Sequence, residues 1–134
     1  MPTLTGRYLS NLRTEAQHVQ SGSLVETDAP TDNNGNGERF SPTDTLALAL
    51  GSCMVTVMAI EARKQGVDFE GMTWEVTKEM ASNPRRINRL TVKIEWPNAP
   101  DDLKLVERLK QIGIHCPVAL SLHPDLEQVI EFGF

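Results

Sequence analysis

Two thiols are the residues of this chain best suited to chemistry. Cys53 stands in GSCMV and Cys116 in HCPVALSLHP, and these are the only cysteines among the 134 residues. Four uses of such a pair are open. Free cysteine behaves as a small hydrophobe and is often simply packed. With His115 and His123 the two sulfurs count to the four ligands of a tetrahedral zinc. However, His115 and Cys116 are adjacent, and the short paired spacings of structural zinc sites are missing. A permanent bridge would be opposed by a reducing cytoplasm. The fourth use is a reactive pair, in which a thiolate attacks and the second thiol completes the cycle.

Position distinguishes the two sulfurs. Pro117 fits the first position of a helix, which puts Cys116 at the N-cap, where free amides and the helix dipole favour a thiolate. Cys116 is on this ground expected to be the more acidic. Cys53 falls mid-helix and would need a cation brought by the fold. Arginine suits that task because it stays charged when half-buried. The candidates are Arg13 and Arg39.

The elements that must place these groups are legible in outline. Arg7–Val19 alternates like one strand, residues 20–22 offer a turn, and Ser23–Asp28 returns as a second strand. Residues 29–40, APTDNNGNGERF, read as a mobile loop. Ser41-Pro42-Thr43-Asp44 is a helix start: serine at the cap, proline at the first position, and Asp44 where a capping box places its acid. That helix should run to about Lys64 and stop at Gly66. It is apolar nearly all round, so it should be buried on every side, and a second subunit would help to cover it. TWEVTKEM and RLTVKIEW alternate as an antiparallel pair with one wet face, joined by a turn at 81–84. Leu103, Val106, Leu109 and Ile112 lie on one helical stripe closed by Gly113. A short helix begins at Cys116-Pro117 and ends near His123-Pro124, and LEQVIEF is a last strand. The order predicts one α+β domain, residues 1–134, with antiparallel sheet packed on a long central helix.

Composition narrows the function. The net charge is −5, with 40% hydrophobic and 23% charged residues. That balance is ordinary for a globular protein and speaks against nucleic acid or an anionic membrane surface as partner. The longest uncharged apolar run, Leu46–Ile60, is shorter than the about 20 residues a membrane span needs. MPTLTGRYLS has no signal-peptide pattern, which predicts a cytoplasmic protein with reduced thiols. The blander groups have blander readings. His115 is a cap neighbour, His123 a turn residue, Arg85, Arg86 and Arg89 a solvated hairpin tip, and Met54 and Met58 core filler.

SPTDTLALALGSCMVTVM followed later by HCPVALSLHPDLEQ resembles the OsmC/Ohr family, and GRYLSNLRTEAQH and TKEMASNPRRI are similar to an OsmC-like subgroup. The resemblance implies an intertwined homodimer with two sites at the subunit interface and reduction of hydroperoxides, organic ones preferred. It makes Cys53 the peroxidatic thiolate, overriding the dipole argument for Cys116, and Cys116 the resolving thiol, reset by a dithiol reductant. No cofactor or metal is implied. In the family a glutamate directly follows the helix-start proline and holds an activating arginine. Here Thr43 has that position and Asp44 comes one residue on. The arginine role falls first to Arg13 and second to Arg39. A non-catalytic protein that binds an apolar small molecule in the same cavity is the alternative expectation.

Overall fold

Asn11 and Leu12 overturn the expectation of one long first strand. In the computed structural model, which describes residues 1–134, both sit at left-handed backbone angles, φ 49° and 62°. Asparagine tolerates that region, whereas leucine seldom enters it. The chain turns there, and the Leu12 amide donates to the Tyr8 hydroxyl at 3.1 Å. Strands β1, Leu4–Ser10, and β2, Arg13–His18, form a hairpin. The turn at 20–22 falls as expected, with Gly22 at φ 79°, and leads into β3, Leu24–Asp28. The result is an antiparallel sheet in the order β1-β2-β3.

The loop that follows is a built turn rather than an open tether. Thr31–Asn33 forms one turn of 3₁₀ helix, and the amides of Asn33 and Gly35 both donate to the Pro30 carbonyl at 2.9 Å. A Cβ on Gly35 would lie 1.6 Å from the Ala29 carbonyl oxygen, so only glycine closes the turn. These elements belong to a first compact unit, Met1–Leu46, and the rest of the chain forms a second, Ala47–Phe134.

Helix α1, Pro42–Lys64, begins in the first unit and has its body in the second. Leu50, Met54, Met58 and Ala62 form a fully buried stripe at helical spacing. The expectation of burial on every side is not met within one chain. Leu48 is 40% and Ile60 52% exposed, because the second unit supplies packing partners for one face only. By length and mean hydropathy, 1.8 over its best window, α1 could cross a membrane, yet its buried stripe is the core of the second unit.

The partners of that stripe come from sheet and helix. Strand β4, Thr73–Ala81, pairs antiparallel with β5, Arg86–Glu95, whose Leu90, Val92 and Ile94 are fully buried. Gly51 lets α1 approach the sheet: a Cβ there would meet the Trp74 ring at 2.4 Å. Helix α2, Leu103–Ile114, is capped by Asp102 and adds Val106 and Leu109 to the core. Helix α3 is short, Pro117–Ser121, and leads to β6, Glu127–Phe132.

The sheet departs from the all-antiparallel expectation. β6 lies parallel to β5, in the order β4-β5-β6. Parallel neighbours need a crossover connection, and α2 with α3 supplies it. The molecule thus has one antiparallel and one mixed sheet. The arginines of the second hairpin are tied to neighbouring groups. Arg89 bridges Glu79 on β4 and Glu127 on β6 at 3.3 and 2.9 Å, and Arg86 donates to the Pro84 carbonyl.

Candidate functional site

The crossover carries Cys116 to Cys53. Cys116 is the N-cap of α3, with its sulfur accepting from the Ala119 amide at 3.4 Å and Pro117 in the first turn. It is 1% exposed. Cys53 projects from α1, half-buried against the same core cluster, and both thiols are free. The two side chains interact directly: burial pushes the Cys116 thiol up from its ordinary value, the Ala119 amide opposes this, and the hydrogen bond and charge of Cys53 push it up further. The expectation that the helix N-terminus makes Cys116 the more acidic thiol is therefore corrected. The cap forms, but desolvation outweighs it. The arrangement is a half-exposed thiol with a buried thiol behind it.

The remaining sequence candidates sit elsewhere. The His115 ring donates through Nδ1 to the Gln111 carbonyl at 2.8 Å, and His123 Nδ1 accepts from the Asp125 amide at 3.0 Å. No three His, Cys, Asp or Glu side chains are placed to share a metal ion. Asp44 closes a capping box. Its Oδ2 accepts from the Ser41 amide, and its own amide donates to Ser41 Oγ, each at 3.0 Å. The Thr43 hydroxyl lies 3.2 Å from Ser41 Oγ.

The first unit holds a charge cluster that composition and spacing did not reveal. Arg13 and Asp28 are directly opposite on β2 and β3. Arg13 Nε and Nη2 donate to Asp28 Oδ1 and Oδ2 at 2.6 and 2.9 Å, a two-pronged pair. Asp28 is 1% exposed, and its Oδ2 also accepts from the Glu38 amide at 3.1 Å. The carboxylates of Glu38 and Glu26 approach Arg13 at 3.5 and 3.9 Å. Arg39 instead reaches Glu26 at 3.8 Å and the Glu38 carbonyl at 3.1 Å. The pairing holds Asp28 below the usual carboxylate range and Arg13 above the usual guanidinium range. Asp28 is the residue that sequence reading missed. Its signal is the register: counting outward from the turn after His18 brings position 28 opposite 13, but only once β2 is known to be a separate strand.

With this geometry in view, the comparisons decide the family. The sequence profile of OsmC-like proteins matches residues 35–129. The chain belongs to the OsmC-like family. It is similar, at 45% identity and a TM-score of 0.94, to a protein from Psychrobacter arcticus 273-4 proposed to be an osmotic stress induced and detoxification response protein, with 98% of this chain and 96% of that one covered. An OsmC organic hydroperoxide resistance protein of Legionella pneumophila shares the fold at a TM-score of 0.76 and 11% identity, covering 100% and 98% of the two chains. OhrB of Bacillus subtilis, an organic hydroperoxide resistance protein, does so at 0.66 and 12%, covering 96% and 95%. No protein with a curated description matches significantly.

Proposed function

We propose that this OsmC-like protein reduces organic hydroperoxides with Cys53 and Cys116. The observation that carries the reading is the interaction of a half-exposed Cys53 with a buried Cys116. The Cys53 thiolate attacks the outer peroxide oxygen. An S–O bond forms, the O–O bond breaks, and the alkoxide leaves to take up a proton as alcohol. Cys116 then condenses with the sulfenic acid, forming the S–S bond and releasing water. A dithiol reductant of the cytoplasm returns the two electrons and restores both thiols. Arg13 is the cation assigned to hold Cys53 ionised, with Arg39 next, and Asp44 serves the helix start.

The working form is a homodimer with two interface sites. Support comes from the apolar surface a single chain leaves bare. Every residue of β1 is exposed, Leu4, Tyr8, Leu24 and Val25 are 55–63% exposed, and α1 shows Leu48 and Ile60. The same apolar surroundings favour a hydroperoxide with an organic tail over hydrogen peroxide.

Reduced protein mixed with cumene hydroperoxide should lose both thiols. In Cys116→Ser the reaction should stop at a Cys53 sulfenic acid that dimedone traps, and Cys53→Ser should consume no peroxide. Retention of both thiols in the parent at millimolar peroxide overturns the proposal. It would favour the second reading, a non-catalytic binder of apolar molecules, which draws on Thr43 standing where the family's peroxidases carry glutamate.

A further inference from the structure

We infer that Asp28 is the positioning residue for Arg13, fixing its guanidinium from strand β3 so that one end stays free to donate. The inference rests on the reading of Arg13 as the activating cation.

Burial is the first ground. A carboxylate that is 1% exposed is costly to keep unless it is paired and hydrogen-bonded. Asp28 has both kinds of partner: Arg13 across the strand and the Glu38 amide. Stability alone is a weak reason for such a pair, since an apolar pair of similar volume often does as well.

Geometry is the second ground. The Nε–Nη2 edge of Arg13 is occupied by Asp28, with Glu38 at the outer side of Nη2. Nη1 has no protein partner among these contacts. A guanidinium gripped along one edge keeps a fixed plane and offers its remaining N–H groups in a set direction, which lysine cannot do. The third ground is that Asp44 accepts from the Ser41 amide at the helix start, while Asp28, Glu38 and Glu26 are carboxylates that reach Arg13. The acid that orients the arginine is thus supplied by a strand, directly opposite it in register.

The test is the pH profile of Cys53 alkylation by iodoacetamide in the full-length reduced protein, read by peptide mass. Asp28→Asn should move the midpoint up by about one pH unit, a roughly tenfold loss of thiolate at a given pH below it. Glu38→Gln should leave the profile in place, and Asp28→Glu, which keeps the charge but shifts the fork, should fall between parent and Asn. A carboxylate that merely offset the charge of Arg13 would give the opposite sign, with Asp28→Asn moving the midpoint down. That result, or no movement, overturns the inference. Arg13→Gln separates the two levels. If it raises the midpoint while Asp28→Asn does not, positioning fails and the activating role stands; if Arg13→Gln changes nothing, the activating role itself fails. Should Asp28→Asn not fold, an unshifted profile in Asp28→Glu overturns the inference instead.

Discussion

At the residue scale the two sulfurs have opposite surroundings, and reactivity should follow. Cys53 is half-buried, whereas Cys116 is 1% exposed with its ionisation disfavoured by burial. Iodoacetamide at neutral pH should therefore label Cys53 well before Cys116, with at least a tenfold difference in rate measured by peptide mass spectrometry. Cys116 also has a structural task as the cap of α3. Cys116→Ser keeps an acceptor there, while Cys116→Ala should cost about 1 kcal/mol in urea denaturation for the lost cap alone. Asp28 gives a pH signature. Its folded-state value lies below the ordinary carboxylate value of about 4, so its stabilisation is present above that pH and is lost as pH falls through the lower, folded value. Urea midpoints should drop across that acid window in the parent, and Asp28→Asn should flatten the drop.

At the element scale the close approach of α1 to its sheet depends on a missing side chain. A Cβ on Gly51 would sit 2.4 Å from the Trp74 ring and 2.9 Å from Val76. Gly51→Ala should cost about 1–3 kcal/mol by overpacking, and Met58→Ala about 2–5 kcal/mol by leaving a void beside Gly113. Thermal denaturation of both variants checks this. Elements with strong local signals were legible in the sequence. The Ser41 capping box, the alternation of β4 and β5 and the Cys116-Pro117 helix start all stand where local chemistry puts them. What stayed hidden depends on partners distant in the chain. The hairpin at Asn11–Leu12 places a leucine at positive φ, against its own preference, so no local cue announced it. The parallel pairing of β6 is a property of the crossover and not of LEQVIEF. The charge balance at Cys116 turned on how deeply the fold buried it, and the Arg13–Asp28 pair on a register.

At the scale of the whole molecule, the proposed homodimer would cover the apolar residues that the first sheet and α1 leave bare. Light scattering on a sizing column should give twice the mass of one chain, and Val25→Lys with Leu24→Lys should shift the mass towards the single chain, since charges in an apolar contact are strongly disfavoured. The path of the chain between β5 and β6 has a kinetic meaning as well. Cys116 rides in the span that joins two hydrogen-bonded neighbours, so its sulfur is anchored from both directions while it stands beside Cys53. The bond proposed between the sulfurs should then form and reopen without loosening that span. Amide exchange in β5 and β6 should be nearly the same for oxidised and reduced protein, and turnover should be set by how fast reductant arrives rather than by any refolding of the scaffold.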